Sequence, residues 1–216
     1  MNDTLLAPTF LFHFSVPLLR CKKNWTAKGV QLDDTCKLPS FGELEDRPMF
    51  ADVRAAWNDS GLFFNVRVSG KKQSPWCRGT RLDESDGLHV WIDTRDTHNI
   101  HRASRFCHRF VFTPAGGGRK LEEPVAELSE INRAREKPKP LGEARPQVRS
   151  EKRVDGYLLE CYIPAESLTG FNPIDHPRLG FTYAVVDREL GWQTFSVGAE
   201  FPIVDDPSLW GTLEMV

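Results

Sequence analysis

Eighteen residues near the middle of the chain, "DTRDTHNIHRASRFCHRF" from Asp93 to Phe110, hold three of its six histidines, two aspartates, one cysteine and four arginines. Imidazole, thiolate and carboxylate are ligands of transition metals, so a metal centre is the first chemistry to weigh. His98 and His101 stand three apart, a spacing that aligns them on one face of a helical turn. Asp93 or Asp96 could add a third ligand, and three ligands plus a water make a catalytic zinc site. Cys107 and His108 are neighbours on a strand, point to opposite faces and do not serve one ion together. Arg95, Arg102 and Arg105 are poor neighbours for a cation. Calcium held by Asp93 or Asp96 with backbone carbonyls is a further option. Haem is a remote one, since His108 falls on a core-facing position with no methionine near enough to pair with it. The stretch therefore reads first as a polar strand crossing in which aspartates pair with arginines at a pocket rim. A metal site built from Asp93, Asp96, His98 and His101 is the second reading.

Catalysis finds little support in the remaining motifs. Asp83, Glu84 and Asp86 cluster before a strand, but glycoside hydrolysis needs two carboxylates at a set separation across a cleft, and an acidic turn explains the cluster as well. No Gly-x-Ser-x-Gly, His-Glu-x-x-His or dinucleotide fingerprint occurs. Gly116, Gly117 and Gly118 lack the Lys-Ser/Thr that would make them a phosphate loop.

The elements that must position such residues are strands. "FADVRAAW" places Ala51, Val53, Ala55 and Trp57 on one face, Asn58 to Gly61 supply a turn, and "LFFNVRV" alternates again. "GLHVWID" sets Leu88, Val90 and Ile92 against His89, Trp91 and Asp93. "RFCHRFVF" sets Phe106, His108, Phe110 and Phe112 against Arg105, Cys107, Arg109 and Val111. "GYLLECYI", "RLGFTYAVV", "QTFSVG" and "LWGTLEMV" follow, and Phe10, Phe12, Phe14 and Val16 alternate near the start. About nine or more short strands predict one all-β domain over 1–216, an antiparallel β-sandwich with one or two short helices. Trp57 and Trp210 fall among core positions. The stretch 114–147 breaks the pattern: Pro124 can open a helix on which Val125, Leu128 and Ile131 recur, so a helical excursion is expected there, its apolar face open to a protein partner. A second short helix is expected after "IPAESLTGF".

Composition narrows the class. Of 216 residues 40% are apolar and 27% charged, and the formal net charge is −2, which gives no footprint for nucleic acid. No apolar run approaches the roughly 18 residues of a membrane span. The first segment lacks the positive start and small-residue cleavage site of a secretion signal. Five cysteines without regular spacing argue against a disulfide framework or a zinc knuckle. A soluble, cytoplasmic protein is the expectation.

Three segments together resemble the family 9 carbohydrate-binding modules and the related DOMON-like β-sandwich domains. They are "VRAAWNDSGLFFNVRVSGK", then "SPWCRGTRLDESDGLHVWIDTRD", then "GYLLECYIPAESL" with "LGFTYAVVDRELG" and "DPSLWGTLEM". The resemblance spans about 51 to 216, while "LPSFGELEDRPMF" stands where the family's opening motif is expected. It implies a non-catalytic module that binds a sugar or a polysaccharide end, in some members with structural calcium and in a related subset with haem. A pyranose needs a flat aromatic face for its apolar side and planar polar groups for its hydroxyls. By resemblance Trp76 takes the place of a stacking tryptophan, with Arg78 beside it. His89 stands where the family has a glutamate, with Trp91 on the same face, and Arg109 falls nearest the family's arginine. A second stacking tryptophan has no counterpart before the Asp-Pro-Ser segment, and Trp192 lies further back in an expected turn.

Overall fold

The computed structural model describes residues 14–41, 49–196, 198 and 200–216. Among them eleven strands form two sheets. The larger runs β1 (Ser15–Leu18), β11 (Gly211–Met215), β9 (Arg178–Asp187), β4 (Gly87–Asp93), β5 (Cys107–Gly117) and β6 (Glu123–Ser129). A short strand, β10 (Gly191–Thr194), pairs with β9 beyond the end of β11. The smaller sheet runs β2 (Ala51–Asn58), β3 (Gly61–Val68), β8 (Gly156–Pro164) and β7 (Gln147–Arg153). Neighbours are antiparallel except β1, which lies parallel to β11. The expected β-sandwich is the observed fold. Phe10 and Phe12 of the first expected strand lie outside the described residues.

Alternation sets the core. Leu88, Val90, Ile92, Phe110, Phe112, Phe181, Tyr183 and Val185 face Val53, Phe64, Val66 and Leu159 of the other sheet. Phe64 and Phe181 stack across the interface, centroids 5.9 Å apart and planes 4° from parallel. Each such side chain taken out of water stabilises the fold by about 1.5–3 kcal/mol. The β2–β3 turn closes as its residues suggest, with Asn58 Oδ1 accepting from the Ser60 amide at 2.8 Å. Gly61 follows at φ +146, where a Cβ would sit 2.0 Å from the Ile163 carbonyl oxygen.

The outer face of the larger sheet is also covered. Trp91, Cys107, Ala184 and Val186 on that face pack against Ala103, Ile131 and Trp210 from three overlying segments. Trp57 belongs to the central core, whereas Trp210 is buried in this second cluster, its indole N–H donating to the Ile203 carbonyl at 2.7 Å.

The helix expected after Pro124 is replaced by a strand. Glu123–Ser129 is β6, with Val125 opposite Thr113 and Leu128 opposite Phe110. Ala126 and Leu128, two apart, pack on the central core, and Ile131 is buried in the outer cluster. Cross-strand pairing with β5 satisfies the backbone and divides the three apolar residues among different environments, so the helical interaction face does not form. No helix follows "IPAESLTGF": a 3-10 turn, Ala165–Ser167, lies inside that segment, and residues 173–175 beyond it form a turn. Among the described residues no helix is long and apolar enough to cross a membrane.

Candidate functional site

Strand register assembles a site where β4 begins. Val186 of β9 lies opposite Gly87 of β4 on one side and Trp192 of β10 on the other. Ala184 lies opposite His89, and Trp91 opposite Arg109. Directly opposed residues project to the same face. Trp192, Val186, His89, Trp91 and Arg109 therefore share the outer face, although Trp192 reads locally as a turn residue.

At the exposed end of this row lies a cavity of about 430 Å³. Trp76 and Arg188 form one wall, Trp192 another, Val186 contributes to the floor, and Arg81, Asp83 and Glu84 close the remaining side. Trp192 is 40% exposed. The Arg188 guanidinium lies 4.9 Å from the Trp76 ring centroid and that of Arg78 lies 5.6 Å away.

Trp76 sits in a loop without regular structure, yet a buried charge cluster fastens it. Lys71 Nζ lies 3.0 Å from Asp86 Oδ2 and 2.6 Å from Asp187 Oδ2, and none of the three side chains is more than 2% exposed. Asp86 Oδ2 accepts from the Trp76 amide at 3.0 Å, and its Oδ1 accepts from the Arg188 amide at 2.8 Å. One carboxylate thus holds both residues of the wall. Glu189 adds a second clasp by accepting from the amides of Lys72 and Gln73. Burial raises the Asp86 carboxyl above its usual range, more than its hydrogen bonds lower it. Burial alone would depress Lys71, but hydrogen bonds to Asp187 and Asp86 outweigh it and hold the ammonium above its usual pKa.

The loop also rests on β5. The strand pairing shifts between Thr113 and Gly117, and Gly116 adopts φ +107 in this bulge. A Cβ on Gly116 would stand 3.3 Å from the amides of Arg78 and Gly79. The glycines serve close backbone approach beneath the Trp76 loop.

Beneath the cavity lies a polar layer. The Arg109 side chain, 9% exposed, donates to Asp83 Oδ1 at 2.7 Å and to His89 Nδ1 at 3.1 Å, and its guanidinium lies 5.2 Å from the Trp91 ring centroid. Burial, then the Arg109 charge, pushes the His89 imidazole down to about 3, so it is neutral and accepts at Nδ1. Burial lowers Arg109 as well, and the Asp83 charge opposes that shift. Trp91 Nε1, Arg109 Nε and Thr182 Oγ1 are buried without a hydrogen-bond partner among the described residues. His89 and Trp91, expected to contact a ligand, are fully buried, and Asp83 links their layer to the cavity through Arg109.

The histidine-rich stretch lies at the other end of β4, about 20 Å away along the strand. Asp93 accepts from the amides of Arg95 and Thr97 at 3.0 and 2.8 Å. His98 Nε2 is 2.8 Å from Asp96 Oδ1, and Asp96 Oδ2 is 3.0 Å from Arg178 Nε. His101 turns to Asp206 at 3.1 Å. His108 Nε2 accepts from the Thr169 amide at 2.9 Å. Among the described residues no three His, Cys, Asp or Glu side chains converge as a metal shell. All five cysteines are free, and burial pushes the thiols of Cys77 and Cys107 up to about 12.

Structural comparison agrees with this architecture. A family 9 carbohydrate-binding module from Caldicellulosiruptor kristjanssonii, solved with cellotriose, superimposes with a TM-score of 0.61 at 12% identity over 94% of this chain and 93% of that one. Its structure with glucose gives 0.62 at 12% identity, over 94% and 96%. The fold is that of a family 9 carbohydrate-binding module. A candidate carbohydrate-binding protein from Bacteroides uniformis shares this fold with a TM-score of 0.54 at 15% identity, over 95% and 99%. No family model matches the sequence, and no curated protein does. Within the family 9 fold, sequence reasoning missed Lys71, Arg81 and Arg188. The Asp-ending strand "AVVD" immediately before Arg188 was the available signal for that residue.

Proposed function

We propose that this chain is a non-catalytic carbohydrate-binding module whose cavity between Trp76 and Trp192 takes the end of a saccharide. The observation that carries the proposal is the concavity itself, which sets two tryptophans and Arg188 around one space of sugar size. An indole offers its face to the apolar side of a pyranose, and guanidinium and carboxylate groups offer planar hydrogen bonds to the hydroxyls. The fold neighbours solved with cellotriose and glucose support the same reading. Asp83 and Glu84 are engaged with Arg109 and Arg81, as suits ligand-binding walls rather than an acid–base pair. Calorimetry with mono- and oligosaccharides tests the proposal. Binding that weakens at least tenfold in both Trp192→Ala and Trp76→Ala supports it, a loss typical of a buried aromatic anchor. Binding that survives both substitutions places the ligand elsewhere and overturns it.

A further inference from the structure

The charges around the cavity are unevenly neutralised. Asp83 is paired with Arg109 at 2.7 Å, and Glu84 with Arg81 at 3.3 Å. Asp86 and Asp187 are sealed against Lys71. Arg78 and Arg188 differ. Both guanidinium groups lie against the Trp76 ring, both residues are exposed, and neither makes an ion pair among the described residues. Of the two, Arg188 lines the cavity and Arg78 does not, so Arg188 is the unpaired cation that a ligand in the cavity meets. The buried cluster has one carboxylate more than Lys71 offsets, but burial and the neighbouring Asp187 raise the Asp86 carboxyl, and neither acid's side chain is exposed.

From this arrangement we infer that the saccharide recognised here carries a carboxylate: a hexuronic acid residue at a chain end, its ring on Trp192 and its carboxylate on Arg188. The inference rests on the saccharide reading above and narrows it. A guanidinium presents parallel N–H donors that match the two oxygens of a carboxylate, a fork that a neutral hydroxymethyl group cannot fill. The Trp76 indole holds Arg188 in place by cation–π contact, so little side-chain freedom is lost when the anion arrives.

The test compares matched sugars that differ only in a carboxylate for a hydroxymethyl: glucuronate with glucose, galacturonate with galactose, mannuronate with mannose. Calorimetry at low salt on the whole chain gives a preference ratio for each pair. We expect one uronate to bind at least tenfold more tightly than its neutral partner, with the preference shrinking as salt screens it. Arg188→Gln is an exposed substitution compatible with folding and is expected to reduce the ratio severalfold, whereas Arg78→Gln, outside the cavity lining, is expected to leave it nearly unchanged. A neutral sugar that binds as well as its uronate, with binding lost in Trp192→Ala, overturns this inference and leaves the saccharide reading standing. A preference unchanged in Arg188→Gln also overturns it. No binding by any of the six overturns both.

Discussion

Replacing Lys71 with methionine leaves the volume of the buried cluster nearly unchanged and removes the one cation it holds among the described residues. Asp86 and Asp187 then share a site from which water is excluded, their side chains at most 1% exposed. Breaking a buried ion pair by removing one partner costs about 3–5 kcal/mol, because the remaining charge keeps its desolvation penalty and loses its compensation. For a chain of this length each kcal/mol shifts the midpoint by about 2–4 °C, so Lys71→Met should lower Tm by about 6–20 °C. The loss should also depend on pH in a definite direction. With Lys71 gone, the Asp86 carboxyl, already raised by burial, rises further above its unfolded value near 4. The folded variant then binds a proton that the unfolded chain has released, and its stability falls as pH rises through that window. Relative to wild type, the deficit should be largest at pH 7 to 8 and shrink towards pH 5. Urea unfolding followed by tryptophan fluorescence at several pH values measures both quantities. A loss below about 1 kcal/mol at pH 7, or a deficit that does not change between pH 8 and pH 5, would refute the argument that this cluster is a sealed charge pair plus an excess acid. Because Asp86 also holds the amides of Trp76 and Arg188, saccharide affinity should weaken in the same variant under conditions where it remains folded.

Other expectations follow from the same geometry. Trp192→Ala should abolish saccharide binding while changing unfolding stability by no more than about 0.5 kcal/mol, since the residue is 40% exposed. Acid should destabilise the fold before its carboxylates titrate: burial lowers His89 to about 3 and His108 to about 4, so below the unfolded histidine pKa near 6.5 each costs about 1.4 kcal/mol per pH unit. His98, raised by its hydrogen bond to Asp96, acts in the opposite sense, its contribution present at low pH and lost as pH rises. Urea midpoints at pH 7 and pH 5, with His89→Gln and His108→Gln for comparison, separate these contributions. Gly116→Val should cost about 1–3 kcal/mol through strain at φ +107 and should weaken saccharide binding by displacing the Trp76 loop, which paired unfolding and calorimetry would show.

Much of the sandwich was legible in the sequence because alternation is a local signal and one sheet face must be apolar. Leu88, Val90 and Ile92 declare their face within a few residues, and the outward set of His89, Trp91 and Arg109 follows from the same period. The errors arose where a distant partner decides. Val125, Leu128 and Ile131 have helical spacing, but β5 offers β6 a ladder, and only the register with Thr113 and Phe110 shows which residues turn inward. Trp192 reads as a turn residue until Val186 is found opposite it. Lys71, in "SGKKQSPW", has every local mark of a surface lysine, and its burial is settled by Asp86 and by Asp187, 116 positions away.

The same reasoning explains why the densest cluster of chemically capable residues is not the candidate site. In the stretch from Asp93 to Phe110, Asp96 and His98 meet Thr212, His101 meets Asp206, and His108 takes an amide from Thr169. Those long-range partners use the cluster to lock loops together at one end of β4. At the other end Arg78 and Arg188 stand far apart in sequence and make no local motif, yet both lie against the Trp76 indole and neither makes an ion pair among the described residues. Density in sequence measures how many polar groups a segment contains. Binding depends on which of them the folded chain leaves available, and pairing across the sheets decides that.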